Sequence, residues 1–261
     1  MTQSANRIDL REVEAFLFDL DGVITRTAGA HAAAWKRLFD DYLQQRARIE
    51  GVIFIPFDPI DDYQDYVDGR PREAGVRNFL EARGIVLPLG NPDDPPEMET
   101  LNGLGNQKDH YFLRELARDG VEVCEGARHF VLDARTRGVR TAIVSSSQNC
   151  AAVLEAAGLT QAFDARVDGL DRRRLDLHGK PDPDIYLEAA KRLGTPPRRA
   201  VVFEDAIVGV QAGRAGRFRL IVGIGRGAHA GALKAHDADI VVGDLRELLL
   251  ENDAHGFRRR K

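Results

Sequence analysis

Short, continuously apolar runs alternate with helix-like stretches along most of this chain. Ala15-Phe16-Leu17-Phe18 closes on Asp19, Val139 to Val144 runs into Ser145-Ser146-Ser147, and Ala200-Val201-Val202-Phe203 closes on Glu204-Asp205. Leu220-Ile221-Val222 and Ile240-Val241-Val242 repeat the pattern. Runs that are apolar throughout, rather than at every second residue, suit strands of a parallel sheet covered on both faces. Helix-like segments near 127–137, 149–157, 183–193 and 206–215 lie between them. This alternation predicts an α/β fold built on a doubly wound parallel sheet.

Residues 28–115 break the rhythm. Segments 29–48, 72–83 and 106–118 read as helices, separated by irregular stretches around Pro56, Pro59 and Asp61-Asp62 and across Asn91-Pro92-Asp93-Asp94-Pro95-Pro96. Prolines in such stretches fix φ and remove backbone donors. The expected organisation is a small α-helical domain over 28–115, inserted into an α/β core made of 1–27 and 116–261.

Composition narrows the class. With 261 residues the chain holds one large or two modest domains, and 43% apolar with 30% charged residues describes a globular protein. A net charge of −4 gives no electrostatic case for nucleic acid or an anionic membrane surface. No apolar stretch approaches the roughly 18 residues of a membrane span. The two cysteines make no disulfide framework, and the early charges Arg7, Asp9, Arg11, Glu12 and Glu14 are unlike a signal peptide. A cytoplasmic monomer with a small-molecule partner is expected. The tail Arg258-Arg259-Arg260-Lys261 reads as a solvated end, and Arg172-Arg173-Arg174, lacking interleaved aromatics, as a solvated loop. Cys150 has no paired histidine in view and reads as a packing residue.

The chemistry follows from where the acids fall. Ligands of open α/β sheets bind beyond the carboxyl ends of the strands. Asp19 and Asp21 lie past one strand, in Asp19-Leu20-Asp21-Gly22-Val23, and Glu204 and Asp205 lie past another. If those strands are neighbours, four carboxylates converge and repel. A hard cation with oxygen ligands relieves that, and Mg²⁺ is the usual choice where a phosphate shares the site. Lys180, in the stiff turn Gly179-Lys180-Pro181-Asp182-Pro183-Asp184, is a candidate fixed counter-charge. Ser145, Ser146 and Ser147, ahead of a predicted helix, offer hydroxyls and backbone donors to an anion.

Taken in order, Asp19-Leu20-Asp21-Gly22-Val23, Ser145, Lys180 and Glu204-Asp205 resemble the four motifs of the haloacid dehalogenase superfamily. The Gly-Lys-Pro-Asp-Pro-Asp form and the Glu-Asp pair resemble its β-phosphoglucomutase-like branch, which carries a small helical cap after the first motif. The resemblance implies a phosphoaspartate mechanism. Asp19 is then the nucleophile and Asp21 the general acid and base. Ser145 and Lys180 hold the transferring phosphoryl group. Mg²⁺ is held by the Asp19 carboxylate, the Asp21 carbonyl and Asp205, with Glu204 behind them.

In the cap, Arg72 of Asp68-Gly69-Arg70-Pro71-Arg72-Glu73 resembles the branch's arginine for a second, distal phosphate. His31 and Trp35, one helical turn apart, match a cap histidine and tryptophan, and Lys108 a cap lysine that reaches the active site. Ser146, Ser147 and Asn149 fall where the substrate's phosphates are expected. The implied activity interconverts β-D-glucose 1-phosphate and glucose 6-phosphate through a bisphosphate; the alternative is a Mg²⁺-dependent phosphatase acting on a sugar phosphate or another small phosphomonoester. Two positions depart from the branch pattern: Arg26 stands where an acid is frequent, and Gln148 where a lysine is common beside the second phosphate. Extra residues around 49–62 and 86–104 set the cap apart. Gly225-Arg226-Gly227-Ala228-His229-Ala230 loosely fits a dinucleotide fingerprint but has no matching acid after the next strand.

Overall fold

The computed structural model describes residues 6–251; the basic tail at 258–261 lies outside the described residues. Six parallel strands form the main sheet, in the order β4-β3-β2-β5-β6-β7. Their ranges are β2 Ala15–Asp19, β3 Arg140–Val144, β4 Ala165–Val167, β5 Ala200–Glu204, β6 Leu220–Ile224 and β7 Ile240–Val242. A separate parallel pair, β1 Arg7–Asp9 with β8 Leu249–Glu251, ties the two ends of the described chain together. The sheet is wound in both directions from β2, which pairs with β3 on one side and β5 on the other. That split is the switch point at which open α/β sheets form their ligand crevice.

At its centre both faces of the sheet are buried, which is why β2 and β5 read as unbroken apolar runs. On one face, Phe16 and Phe18 of β2 meet Phe203 of β5 and Phe130 of α4 (Glu125–Thr136). Phe18 stacks on Phe203 at 4.5 Å and Phe16 meets the same ring edge-on at 5.1 Å. Each such pair adds about 0.5–1.5 kcal/mol beyond its buried area. Helix α5 (Cys150–Ala156) packs on this face too, with Cys150 fully buried in the cluster. On the other face, Leu17 and Val202 pack under α7 (Asp184–Arg192) and α8 (Ile207–Ala215), with Tyr186 fully buried among them. Helices α6 (Gly169–Arg174) and α9 (Gly227–Ala235) complete the α/β part.

Three helices stand between β2 and α4: α1 Ala28–Glu50, α2 Arg72–Ala82 and α3 Leu101–Asp119. They have their own core, in which Phe39 and Phe79 lie 4.1 Å apart, with Trp35, Phe57, Val76 and Leu104 around them. A π-helical turn over Tyr63–Val67 precedes α2. The stretch around 49–62 is not loose where it enters this core. The Phe57 amide donates to Asp40 Oδ1 at 2.8 Å, and Lys36 Nζ donates to the Phe57 carbonyl at 3.0 Å.

Some local expectations change. Helix α3 begins at Leu101 rather than near 106, because Thr100 Oγ1 accepts from the Gly103 amide at 2.9 Å and caps it. The three serines do not open α5 directly. Its first residue is Cys150, and Ser147 instead folds a turn in which its amide donates to Ser145 Oγ at 3.1 Å. Arg172-Arg173-Arg174 is not a solvated loop. It is the end of α6, whose N-cap Asp168 accepts from the Leu170 and Asp171 amides.

Candidate active site

The register of the sheet fixes the acids. Asp19 ends β2 opposite Val144 of β3, and Phe18 pairs with Phe203 of β5. Asp19, Ser145 and Glu204 therefore emerge side by side at the carboxyl edge. The condition that the two acid-bearing strands be neighbours is met. Lys180 reaches this row from the loop before α7, with its side chain fully buried. Its Nζ donates to Asp19 Oδ1 at 2.5 Å and also to Glu204 Oε1. Tyr186 Oη donates to the same Glu204 oxygen at 2.8 Å, and the Ala206 amide to the other at 2.8 Å. A buried charge needs this degree of pairing to be tolerated. Burial opposes the Lys180 ammonium, but the Asp19 and Glu204 carboxylates raise its pKa above the ordinary lysine value.

Asp205 lies against the backbone of the Asp19–Gly22 loop. Gly22 has φ +90°, and a Cβ there would stand 1.8 Å from Asp205 Oδ2. Only glycine leaves that space to the carboxylate. Burial, then the nearby charges of Asp68, Asp19 and Glu204, push Asp205 well above the usual carboxylate range. Asp19 is likewise raised by burial, partly offset by Lys180. The cluster is thus short of positive charge although Lys180 is present. Among the described residues, no group of three or more His, Cys, Asp or Glu side chains is placed to hold a metal ion on its own. The donors here are hard oxygens on one open side, a set suited to an ion that keeps waters and phosphate oxygens among its ligands.

Asp21 faces the helical unit. Its Oδ1 accepts from Thr27 Oγ1, and His31 Nε2 of α1 lies 3.3 Å from the same atom. Burial works against ionisation, yet His31, Thr27 and the charge of Lys108 hold Asp21 down to about 2. His31 Nδ1 lies 2.6 Å from Lys108 Nζ of α3. Lys108 brings no acceptor, so His31 Nδ1 accepts and the ring proton sits on Nε2, toward Asp21. Burial and the Lys108 charge both lower the His31 pKa. The Lys108 ammonium lies 5.2 Å from the Trp35 ring centre and 4.9 Å from that of Phe112. Both aromatic faces favour the cation there.

A cavity of about 70 Å³ separates the sheet edge from the helical unit. Asp19, Asp21, His31, Trp35, Arg72, Lys108, Ser146, Ser147 and Asp205 all line it. Ser145, Lys180 and Glu204 lie just beneath, each essentially buried. Asn149 stands at the seam, where its Nδ2 donates to Asp109 Oδ1 at 2.6 Å. Other contacts close the same seam: Ser146 Oγ donates to the Gly69 carbonyl at 2.7 Å, and Arg72 Nη2 to Gln148 Oε1 at 3.0 Å. Arg172 Nη2 also reaches Glu73 Oε1. At the order of 10–15 Å³ per water, the cavity admits only a few waters. A sugar phosphate enters only if the seam opens.

The structure adds Tyr63, Asp68, Arg70, Asp109 and Arg172 to the lining, none of them candidates from the sequence. Burial and the Glu204 charge push the Asp68 carboxyl up to about 6. Asp68 and Arg70 lie in the short loop that leads into Arg72 at the start of α2, a sequence signal that was present. Arg172 carried none. The dinucleotide-like stretch has a different use: His229 Nε2 lies 2.6 Å from the Asp205 carbonyl, which steadies the acid-bearing turn.

A parallel-sheet enzyme with acids and a lysine at its switch point, roofed by a helical insertion, is the class these features define. The chain belongs to the haloacid dehalogenase-like hydrolase family, whose model matches residues 13–217. It is 50% identical over 241 residues to a β-phosphoglucomutase of Mycobacterium bovis, covering 91% of this chain and 92% of that protein. A Bacillus subtilis β-phosphoglucomutase is 30% identical over 240 residues, covering 92% and 93%. Among solved structures, a β-phosphoglucomutase from Clostridium difficile superposes with a TM-score of 0.70 at 26% identity, covering 91% of this chain and 93% of that one.

Proposed function

We propose that this enzyme is a phosphomutase that interconverts β-D-glucose 1-phosphate and glucose 6-phosphate through an aspartyl phosphate on Asp19 and a hexose bisphosphate. The likeness to the mycobacterial relative, over nine-tenths of both chains, carries the reading. The cavity supports it: Asp19 lines it from the sheet edge with Lys180 buried beneath, and Arg72 and Lys108 line it from α2 and α3.

Asp19 attacks phosphorus, and the P–O bond to the sugar breaks as the P–O bond to Asp19 forms. Lys180 holds Asp19 and offsets charge on the transferring group, with Ser145 and the turn at Ser146-Ser147 beside it. Asp21 begins ionised, since it is held at about 2. It takes the proton of the accepting sugar hydroxyl as phosphorus passes from Asp19 to that oxygen. The same proton returns to the leaving sugar oxygen when the bisphosphate gives its other phosphoryl group to Asp19. His31, fixed by Lys108, orients Asp21 for both directions. Asp19, the Asp21 carbonyl and Asp205 would hold Mg²⁺, with Glu204 supporting them. When bound, that ion supplies charge neutralisation for the acids and the phosphoryl oxygens.

Residues 28–115 act in this reading as a cap that opens for the sugar and closes to exclude water. The test is one sample assayed two ways, with Mg²⁺, β-glucose 1-phosphate and a trace of the 1,6-bisphosphate. Rapid formation of glucose 6-phosphate with little free phosphate is expected, and a chelator abolishes it until Mg²⁺ is restored. Phosphate release without isomerisation overturns the mutase in favour of a sugar-phosphate phosphatase. The neutral Gln148 at the seam is the observation on that second reading's side.

A further inference from the structure

Arg72 is fully engaged within the closed protein. Its Nη1 pairs with Asp109 Oδ2 at 3.0 Å, and its Nη2 donates to Asn106 Oδ1 at 2.7 Å and to Gln148 Oε1. Arg172 differs. It lines the same cavity, and its Nε is buried with no hydrogen-bond partner. A buried donor atom left without a hydrogen bond is uncommon and costly, even on a guanidinium paired elsewhere, so such an atom marks where an acceptor belongs.

The surroundings hold Arg172 for that purpose. Its side chain is 16% exposed, against 67% for Arg174, so the basic triplet turns one residue inward. Its far end is gripped by Glu73 of α2, one residue after Arg72. Its own backbone is pinned: its amide donates to the Asp168 carbonyl at 2.8 Å and its carbonyl accepts from the Leu177 amide at 2.9 Å, in the loop leading to Lys180. A Cβ on Gly179 would lie 2.2 Å from Pro71 Cγ and 3.6 Å from Arg172 Cδ, which puts Arg172 where helical unit and sheet edge touch. Gln148 on the same side of the seam is neutral. Arg70 also has a buried nitrogen without a hydrogen bond, but it comes from the loop before α2, on Arg72's own side of the seam.

We propose that Arg172 is a specificity-determining residue for the phosphate that is not being transferred, the sheet-side cation that complements Arg72. Resting on the mutase reading, this assigns the selection of a doubly phosphorylated sugar to a pair of arginines on opposite sides of the seam. Glu73 holds Arg172 at one end, and the planar guanidinium turns its Nε edge to a phosphate oxygen.

The test compares two phosphoryl donors to Asp19 in the full-length protein with Mg²⁺: glucose 1,6-bisphosphate, which has a second phosphate, and acetyl phosphate, which has none. Arg172→Gln is expected to lower kcat/KM for the bisphosphate by about 10- to 100-fold more than for acetyl phosphate, as loss of a charged hydrogen bond implies. Arg172→Lys, which keeps the charge, recovers part of that difference and serves if the glutamine variant does not fold. Equal losses on both donors in Arg172→Gln, or equal and substantial losses in Arg172→Lys, overturn the inference while leaving the mutase standing. A wild-type enzyme that accepts acetyl phosphate but neither isomerises the sugar phosphate nor takes phosphoryl from the bisphosphate overturns the functional reading, and this inference with it.

Discussion

Lys108 Nζ and His31 Nδ1 stand 2.6 Å apart, buried between α3 and α1, and the far side of that imidazole faces Asp21. One cation thus fixes the tautomer of a ring that fixes a carboxylate. The state of the cation decides whether the arrangement persists.

Burial draws the Lys108 ammonium down to about 8 from its ordinary 10.5. It is charged below that pH and neutral above it. The kcat/KM profile, which reports the free enzyme, should therefore fall above about pH 8, and Lys108→Met should remove that limb along with most activity. Stability moves the other way. Between the folded and unfolded pKa values the unfolded chain binds more protons, so stability from this residue rises with pH across that window. Urea midpoints on both sides of it, for wild type and Lys108→Met, check the sign.

Lys180→Met should abolish turnover and also destabilise the fold. It leaves Asp19 and Glu204 buried without their shared cation. Breaking a buried pair in this way costs about 3–5 kcal/mol. Asp19→Asn removes one of two partners and retains the other, so its loss in denaturant titration should be clearly smaller.

Gly22→Ala places a methyl group in the space of the Asp205 carboxylate and imposes φ +90° on alanine. The expected result is a folded protein whose Mg²⁺ requirement rises by roughly 10- to 100-fold, the range seen when groups supporting a metal ligand are disturbed. Activity titrated against Mg²⁺ measures it, and an unchanged half-saturation point would count against Asp205 as a ligand.

Phe79 is fully buried, with Phe39, Phe57 and Tyr66 around it. Phe79→Ala should destabilise by about 3–5 kcal/mol, measured by thermal or urea unfolding. The sheet edge lies outside this cluster, so the damage is expected in the helical unit that roofs the cavity.

The central sheet was legible because burial on both faces writes β2 and β5 as apolar runs that end abruptly in acids. The core site was legible for the same reason: strand ends are where a parallel sheet delivers side chains, so position along the chain stood in for position in space. The roof was not. Thr100 is a readable helix start, yet glycines at 103 and 105 disguise the first turns of α3. They are small for contact reasons: a Cβ on Gly103 would meet the Met98 carbonyl at 2.2 Å, and one on Gly105 the Arg72 side chain at 3.3 Å. Arg172 was invisible because its partner Glu73 is 99 residues away. A run of three arginines looks solvated until the fold shows which one is turned inward.

The contacts across the seam have one more consequence. Ser146, Asn149 and Arg72, all expected to meet the sugar's phosphates, bind Gly69, Asp109 and Gln148 in the closed protein. In the proposed reading, the chain competes with its own substrate for these groups. Apparent affinity becomes the intrinsic affinity multiplied by the fraction of molecules standing open. A ligand with a single phosphate can displace only some of these internal partners, whereas one with two engages both sides at once. In the proposed reading, the internal pairing of the empty protein adds to the selection made by the two arginines.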